Sequence, residues 1–151
     1  MKMNRLSIIA VLAIAVSAAA LFLIPKEAVG KIPYQNASAV AEGKKIYFAE
    51  CASCHGANLE GQNNWQQRDV QGYLPAPPHD ESGHTWHHDD QLLFQLTKYG
   101  IQSIAGNDYK SNMPAFEQSL SDEQIWNVLA YIKSQWPKDI AERHTDMFSN
   151  K

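Results

Sequence analysis

The chain has 151 residues, with 13 Lys and Arg against 16 Asp and Glu, and only two cysteines. Without its N-terminal segment it retains enough length for one domain with one modest core. From Ser38 to Ile140 there are 7 Lys and Arg against 13 Asp and Glu, an acidity that excludes nucleic acid, whose binding needs a basic face. It fits either a docking partner with a basic patch or simple solubility.

Lys2 and Arg5 precede an uncharged apolar run from Leu6 to Ile24, which reads as an export element. Its 19 residues exceed the ~7–15 of a signal core and approach the ~20 that span a bilayer. Ala28-Val29-Gly30 offers small residues to a peptidase, but Lys26 and Glu27 stand just before them. An uncleaved anchor over residues 6–24 is favoured, with a cleaved signal as the alternative. Lys2 and Arg5 then stay in the cytoplasm and the remainder is periplasmic or otherwise extracytoplasmic. The expected division is an anchor or signal over residues 1–30, a linker over 31–37, a folded domain over 38–137 and a polar tail over 138–151.

The first helix is expected from Ala39 to Cys51 with Ser38 as N-cap and apolar surface from Val40, Ile46, Tyr47 and Phe48. Gly43 costs such a helix ~1 kcal/mol against Ala, and its use is to let another helix approach closely.

Cys51-Ala52-Ser53-Cys54-His55 follows. The spacing C-x-x-C-H reads as a c-type haem attachment site. Two thiols three positions apart can each add to one vinyl group of a porphyrin, and His55 can offer an imidazole nitrogen to the iron. A redox pair usually sits at a strand end in a βαβ setting, and a structural zinc site needs four ligands; neither context is present. In an oxidising compartment two free cysteines would normally pair, whereas here haem would consume both.

Gly56 to Pro78 is a long loop rich in Gly, Gln, Asn and Pro, reasonable in a compact domain if it wraps a cofactor edge. His79, His84, His87 and His88 come next, with Trp86 among them and Asp80, Glu81, Asp89 and Asp90 interleaved. Three readings stand: a copper or zinc site, since imidazole suits both; a hydrogen bond from Trp86 or one histidine to a haem propionate; or a polar loop over the haem edge.

A second helix is expected from Asp89 or Asp90 to Tyr99, with Leu92, Leu93 and Leu96 on one face, Phe94 pointing elsewhere and Gly100 ending it. The loop Asn107–Ser119 carries Met113-Pro114. The last helix opens with the capping box Ser121–Gln124 and the staple pair Leu120 and Ile125. It presents Ile125, Val128, Leu129, Ile132 and Trp136 as one apolar stripe and stops at Pro137. No segment shows strand periodicity, so the class is all-α, with few helices and long loops.

Haem iron held by His55 has a second axial position, for which the candidates are Met113, Met147, His79, His84, His87, His88 and His144. Met113 is favoured: a loop can bring a long side chain over a cofactor, and Pro114 holds Met113 extended.

Ala41-Glu42-Gly43-Lys44-Lys45-Ile46-Tyr47, Cys51–Gly56, Asn112-Met113-Pro114-Ala115-Phe116 and Val128–Lys133 together resemble a class I c-type cytochrome from about Ser38 to Trp136. The resemblance implies that the first and last helices cross at Gly43, with Tyr47 and Tyr131 packed there. It implies one covalent haem c on Cys51 and Cys54, and iron held by His55 and Met113. It also implies a proline carbonyl accepting the His55 N–H, and here Pro75 and Pro77 both qualify. The expected function is one-electron transfer between redox partner proteins, without enzymatic chemistry. The alternatives are a haem sensor or haem enzyme with a displaceable sixth ligand, and a copper-handling protein that uses the histidine-rich loop.

Overall fold

The computed structural model describes residues 30–106 and 108–149. The run Leu6–Ile24, and with it the anchor or signal reading, lies outside them. Among the described residues no helix is long and apolar enough to cross a membrane. The described residues contain helices and no strand, so the fold is all-α.

Helix α1 (Ala37–Ile46) leads through a π-helical turn, Tyr47–Cys51, into a single helical turn, α2 (Ala52–His55). A long loop and a 3-10 turn at Thr85–His87 precede α3 (Asp90–Tyr99), α4 (Ile101–Ala105), α5 (Asp122–Ser134) and α6 (Lys138–Met147). The π turn interrupts what periodicity presents as one helix; such bulges are rare and favour functional sites.

The N-cap of α1 is Asn36, not Ser38. Asn36 Oδ1 accepts the N–H groups of Ser38 at 3.0 Å and Ala39 at 3.2 Å. Asn caps as well as Ser, so the helix starts earlier and Ser38 Oγ donates to the same oxygen at 2.7 Å.

The main helix pairing is α1 against α5. At Gly43 a Cβ would fall inside the contact distance of the Asn127 carbonyl oxygen, so only glycine permits this crossing. Tyr47 is fully buried there, its ring 5.3 Å from that of Tyr131 and its O–H donating to the Gly56 carbonyl at 2.8 Å. Phe48 contributes little to the core, being 48 % exposed. Helix α5 is entered through both bonds of the expected capping box, Ser121 N–H to Gln124 Oε1 at 2.9 Å and Gln124 N–H to Ser121 Oγ at 3.2 Å. The whole expected stripe, Ile125 through Trp136, is buried.

Helix α3 is capped by Asp89, which accepts Leu92 N–H at 2.8 Å, and ends at Gly100 with φ of +81°. Its buried face is Asp90, Leu93, Phe94 and Thr97 rather than the expected Leu92, Leu93 and Leu96. Phe94 stacks on Trp126 of α5 at 4.5 Å, and that contact sets the helix rotation.

Two segments expected to lie outside the domain belong to it. Residues 31–37, expected as a linker, bury Ile32, whose N–H donates to Asp90 Oδ2 at 3.0 Å, and Ala37 already begins α1. The expected polar tail folds as α6, which buries Ala141 and His144. Pro137 closes α5 yet also opens α6, where its fixed φ is no obstacle.

His144 is 0 % and Lys133 2 % exposed. His144 Nε2–H donates to the His88 carbonyl at 2.8 Å, which leaves Nδ1 to accept from Lys133 Nζ at 2.9 Å. Lys133 also donates to Thr145 Oγ1 at 3.0 Å and lies 4.5 Å from the centre of the Tyr34 ring. The buried Asp90 carboxylate has its Oδ1 3.8 Å from His144 Nδ1 and offsets the Lys133 charge. This cluster joins residues 31–36, α3, α5 and α6, and a buried polar network of this kind specifies an arrangement more than it stabilises it.

Candidate functional site

The C-x-x-C-H motif runs from Cys51, the last residue of the π turn, through α2. Cys51 is half-buried, Cys54 is exposed, and neither forms a disulfide. Burial, and then the charges of Glu50 and Cys54, push the Cys51 thiol up to about 12. It is therefore a protonated thiol at neutral pH and poorly disposed to bind metal as thiolate.

His55 closes this turn and is buried. Its Nδ1 lies 2.9 Å from the carbonyl oxygen of Pro77. A carbonyl only accepts, so Nδ1 carries the proton and Nε2 is the nitrogen that can bind iron. Of the two prolines left open by the sequence, Pro77 makes the bond. Desolvation lowers the His55 pKa, against the smaller opposing effect of the Pro77 bond, so the imidazole is neutral, as a metal ligand must be.

The loop from Gly56 onward is held to this turn by backbone bonds. Gly61 N–H donates to the His55 carbonyl at 2.8 Å, Gln62 N–H to Ala76 at 2.8 Å and His79 N–H to Leu59 at 2.7 Å. Pro77 is thereby carried to His55 across 22 positions of sequence.

Met113 is half-buried and packs against the core. Its N–H donates to Ser111 Oγ at 3.1 Å. Just beyond it, Phe116 N–H to the Thr97 carbonyl at 3.2 Å and Glu117 N–H to Lys98 at 3.0 Å fasten the loop to the end of α3.

The remaining ligand candidates are engaged elsewhere or, for Met147, exposed. His144 is locked against Lys133 and His88, Met147 is 48 % exposed on α6, and His87 stacks on Trp86 at 3.7 Å. His84 stacks on Trp65 at 5.4 Å and meets His88 edge-on at 5.4 Å. Burial first, and neighbouring histidines second, lower the pKa of His79, His84 and His88. Trp86 Nε1–H donates within the loop to the Glu81 carbonyl at 3.4 Å. Among the described residues no three His, Cys, Asp or Glu side chains gather as a metal-holding group.

One contact was not expected. The His79 ring lies on the His55 ring, centroids 4.0 Å apart and planes 21° apart. Nothing in the spacing distinguishes His79 from its neighbouring histidines; only the folded loop selects it.

Two thiols outside any disulfide, one at the end of the π turn and one in α2, a neutral imidazole whose Nε2 carries no proton, and a thioether on a loop fastened to α3 are donors of the kinds that suit haem c.

The family model described as cytochrome c matches residues 40–136. The chain is similar to a Cbb3-type cytochrome c oxidase subunit FixP of Azorhizobium caulinodans, 31% identical over 120 residues that cover 80% of this chain and 37% of that protein. It is similar to a thiosulfate dehydrogenase of Stutzerimonas stutzeri, 31% identical over 121 residues covering 77% and 34%. A cytochrome c6 of a Synechococcus species is 29% identical over 112 residues covering 70% and 78%. The chain thus spans about a third of the length of the first two relatives. No solved structure matches it.

Proposed function

Since the chain belongs to the cytochrome c family, with one covalent haem c as its cofactor, we propose that it carries single electrons between exported or membrane-bound redox proteins. Haem c supplies an iron centre that changes oxidation state by one electron, and the chain's residues bind it, orient its ligands and keep water from them. Cys51 and Cys54 hold the porphyrin, and His55 Nε2 and Met113 Sδ hold the iron. The observation that carries this reading is the bond from His55 Nδ1–H to Pro77. It fixes the tautomer, leaves Nε2 without a proton and raises the basicity of the ligand.

The acidic surface supports partners with a basic docking face. The run Leu6–Ile24 supports an extracytoplasmic domain on an N-terminal anchor. Electron transfer of this kind breaks no bond of a substrate, so the chain is read as a carrier rather than an enzyme.

The test is the spectrum of the haem-loaded oxidised protein. A low-spin form with the methionine-sulfur-to-iron charge-transfer band, abolished in Met113→Ala with the fold retained, is expected. A high-spin form, or ready carbon monoxide binding by the reduced protein, would sink the assignment. The similarity to a thiosulfate dehydrogenase favours haem enzyme as the second reading. Reduction of the haem by thiosulfate, with saturation, would select it.

A further inference from the structure

The ring of His79 faces the ring of His55 and is held by contacts independent of it. His79 N–H donates to the Leu59 carbonyl at 2.7 Å. Its own carbonyl accepts Trp136 Nε1–H at 2.8 Å, which ties it to the end of α5. Its Nδ1 lies 2.8 Å from Thr85 Oγ1, and that hydroxyl is in turn 3.5 Å from the Pro78 carbonyl. The backbone is thus fixed at two atoms and the imidazole at a third. The surface so fixed lies nearly parallel to the His55 ring, at 4.0 Å.

An imidazole bound to iron through Nε2 keeps one soft coordinate, rotation about the iron–nitrogen axis. The Pro77 bond restrains it through the direction of a single N–H. A flat group against the ring restrains it more strongly, because turning the ligand drives its edge into the neighbour. The same group excludes water from one face of the Nδ1–H bond to Pro77. Orientation and hydrogen bonding of an axial ligand tune the metal and its potential.

We propose that His79 is a positioning residue that sets the plane of the His55 ring by stacking on it, with Thr85 holding His79 in register. The inference rests on His55 being an axial ligand and adds a determinant of that ligand's orientation.

The test uses the haem-loaded full chain, oxidised, with two readouts. The spread of the haem-methyl shifts in paramagnetic NMR reports the ligand plane, and the reduction potential reports the protected bond. His79→Ala is expected to alter the spread and, by exposing the bond that makes His55 basic, raise the potential while keeping the Met113 charge-transfer band. His79→Phe, which restores a flat ring without its nitrogens, should return both towards the parent. Thr85→Val, which frees the His79 ring but keeps both its backbone bonds, should give a smaller shift in the same direction. If His79→Ala does not accumulate, Thr85→Val and His79→Phe carry the comparison. Parent-like spectra and potential in both His79→Ala and Thr85→Val, or a His79→Phe protein as displaced as His79→Ala, would overturn the proposal. A parent protein that lacks the low-spin His/Met spectrum would instead overturn the ligand assignment itself.

Discussion

The two sides of the candidate iron site are built differently. On the His55 side the proposed ligand sits in a helical turn, is buried, donates to Pro77 at 2.9 Å and stacks on His79 at 4.0 Å. On the Met113 side the proposed ligand sits in a loop, is half-buried, and its nearest restraint is one bond to Ser111 at 3.1 Å. One side is fixed by structure that exists whether or not the methionine is in place. The other depends on a loop tethered at the end of α3. The difference teaches where the site can open: the Met113 loop can yield without disturbing the helical core, whereas the His55 turn cannot.

The largest expected effect comes from breaking the rigid side. His55→Ala should lose the low-spin spectrum and most of the folded, haem-loaded protein, whereas Met113→Ala should lose the charge-transfer band and keep the helical circular dichroism. Comparable unfolding by both variants would erase the asymmetry.

Next is the crossing that carries α1 into the motif. Gly43→Ala pushes a methyl into the Asn127 carbonyl and should cost about 3 kcal/mol of stability, the upper range for overpacking, measured by denaturant unfolding. It should shift both sides of the site together.

Smaller still is an effect of pH on the clamp behind the histidine-rich loop. Burial, and then the Lys133 ammonium, lower the His144 pKa below its ordinary 6.5. Between the lowered value and 6.5 the unfolded chain therefore binds a proton that the folded chain does not. Stability from this group is full above that window and falls as the pH drops through it. The melting temperature should decline from pH 7 to pH 5, and His144→Gln should reduce the slope. That variant should also cost about 2 kcal/mol at neutral pH, since it disturbs a buried hydrogen-bonded group. An unchanged slope in His144→Gln would assign the acid sensitivity to His79, His84 and His88, whose pKa values are lowered as well.

The smallest change sharpens the flexible side. Ser111→Ala removes the one bond to the Met113 N–H and should cost about 1 kcal/mol or less, with a measurable rise in carbon monoxide binding by the reduced protein. No change there would place the restraint of the loop further on, at Phe116 and Glu117.

Local signals were legible where a residue acts through its neighbours in sequence. The capping box of Ser121 and Gln124, the apolar stripe from Ile125 to Trp136, the stop at Gly100 and the C-x-x-C-H turn all follow from spacings within one or two helical turns. Gly43 was legible because a glycine in a helix interior needs a reason. The failures lie where a distant partner decides. Ser38 lost the cap to Asn36 because both are good caps and helix length chose between them. Phe94 is buried because Trp126 meets it. Residues 31–36 and α6 read as linker and tail because their polar residues mask Ile32, Ala141 and a buried His144 whose partners come from three other elements.

The sequence by itself determined the haem-attachment chemistry, the all-α class and the two ligand candidates, because each depends on residue type and short-range order. Only the tertiary structure decided that Pro77 rather than Pro75 meets His55, that His79 alone among its neighbouring histidines lies on the ligand ring, and that the last ten-residue helix belongs to the domain. Those outcomes depend on how a long loop closes and on which buried polar groups find each other. Spacing along the chain does not encode such pairings.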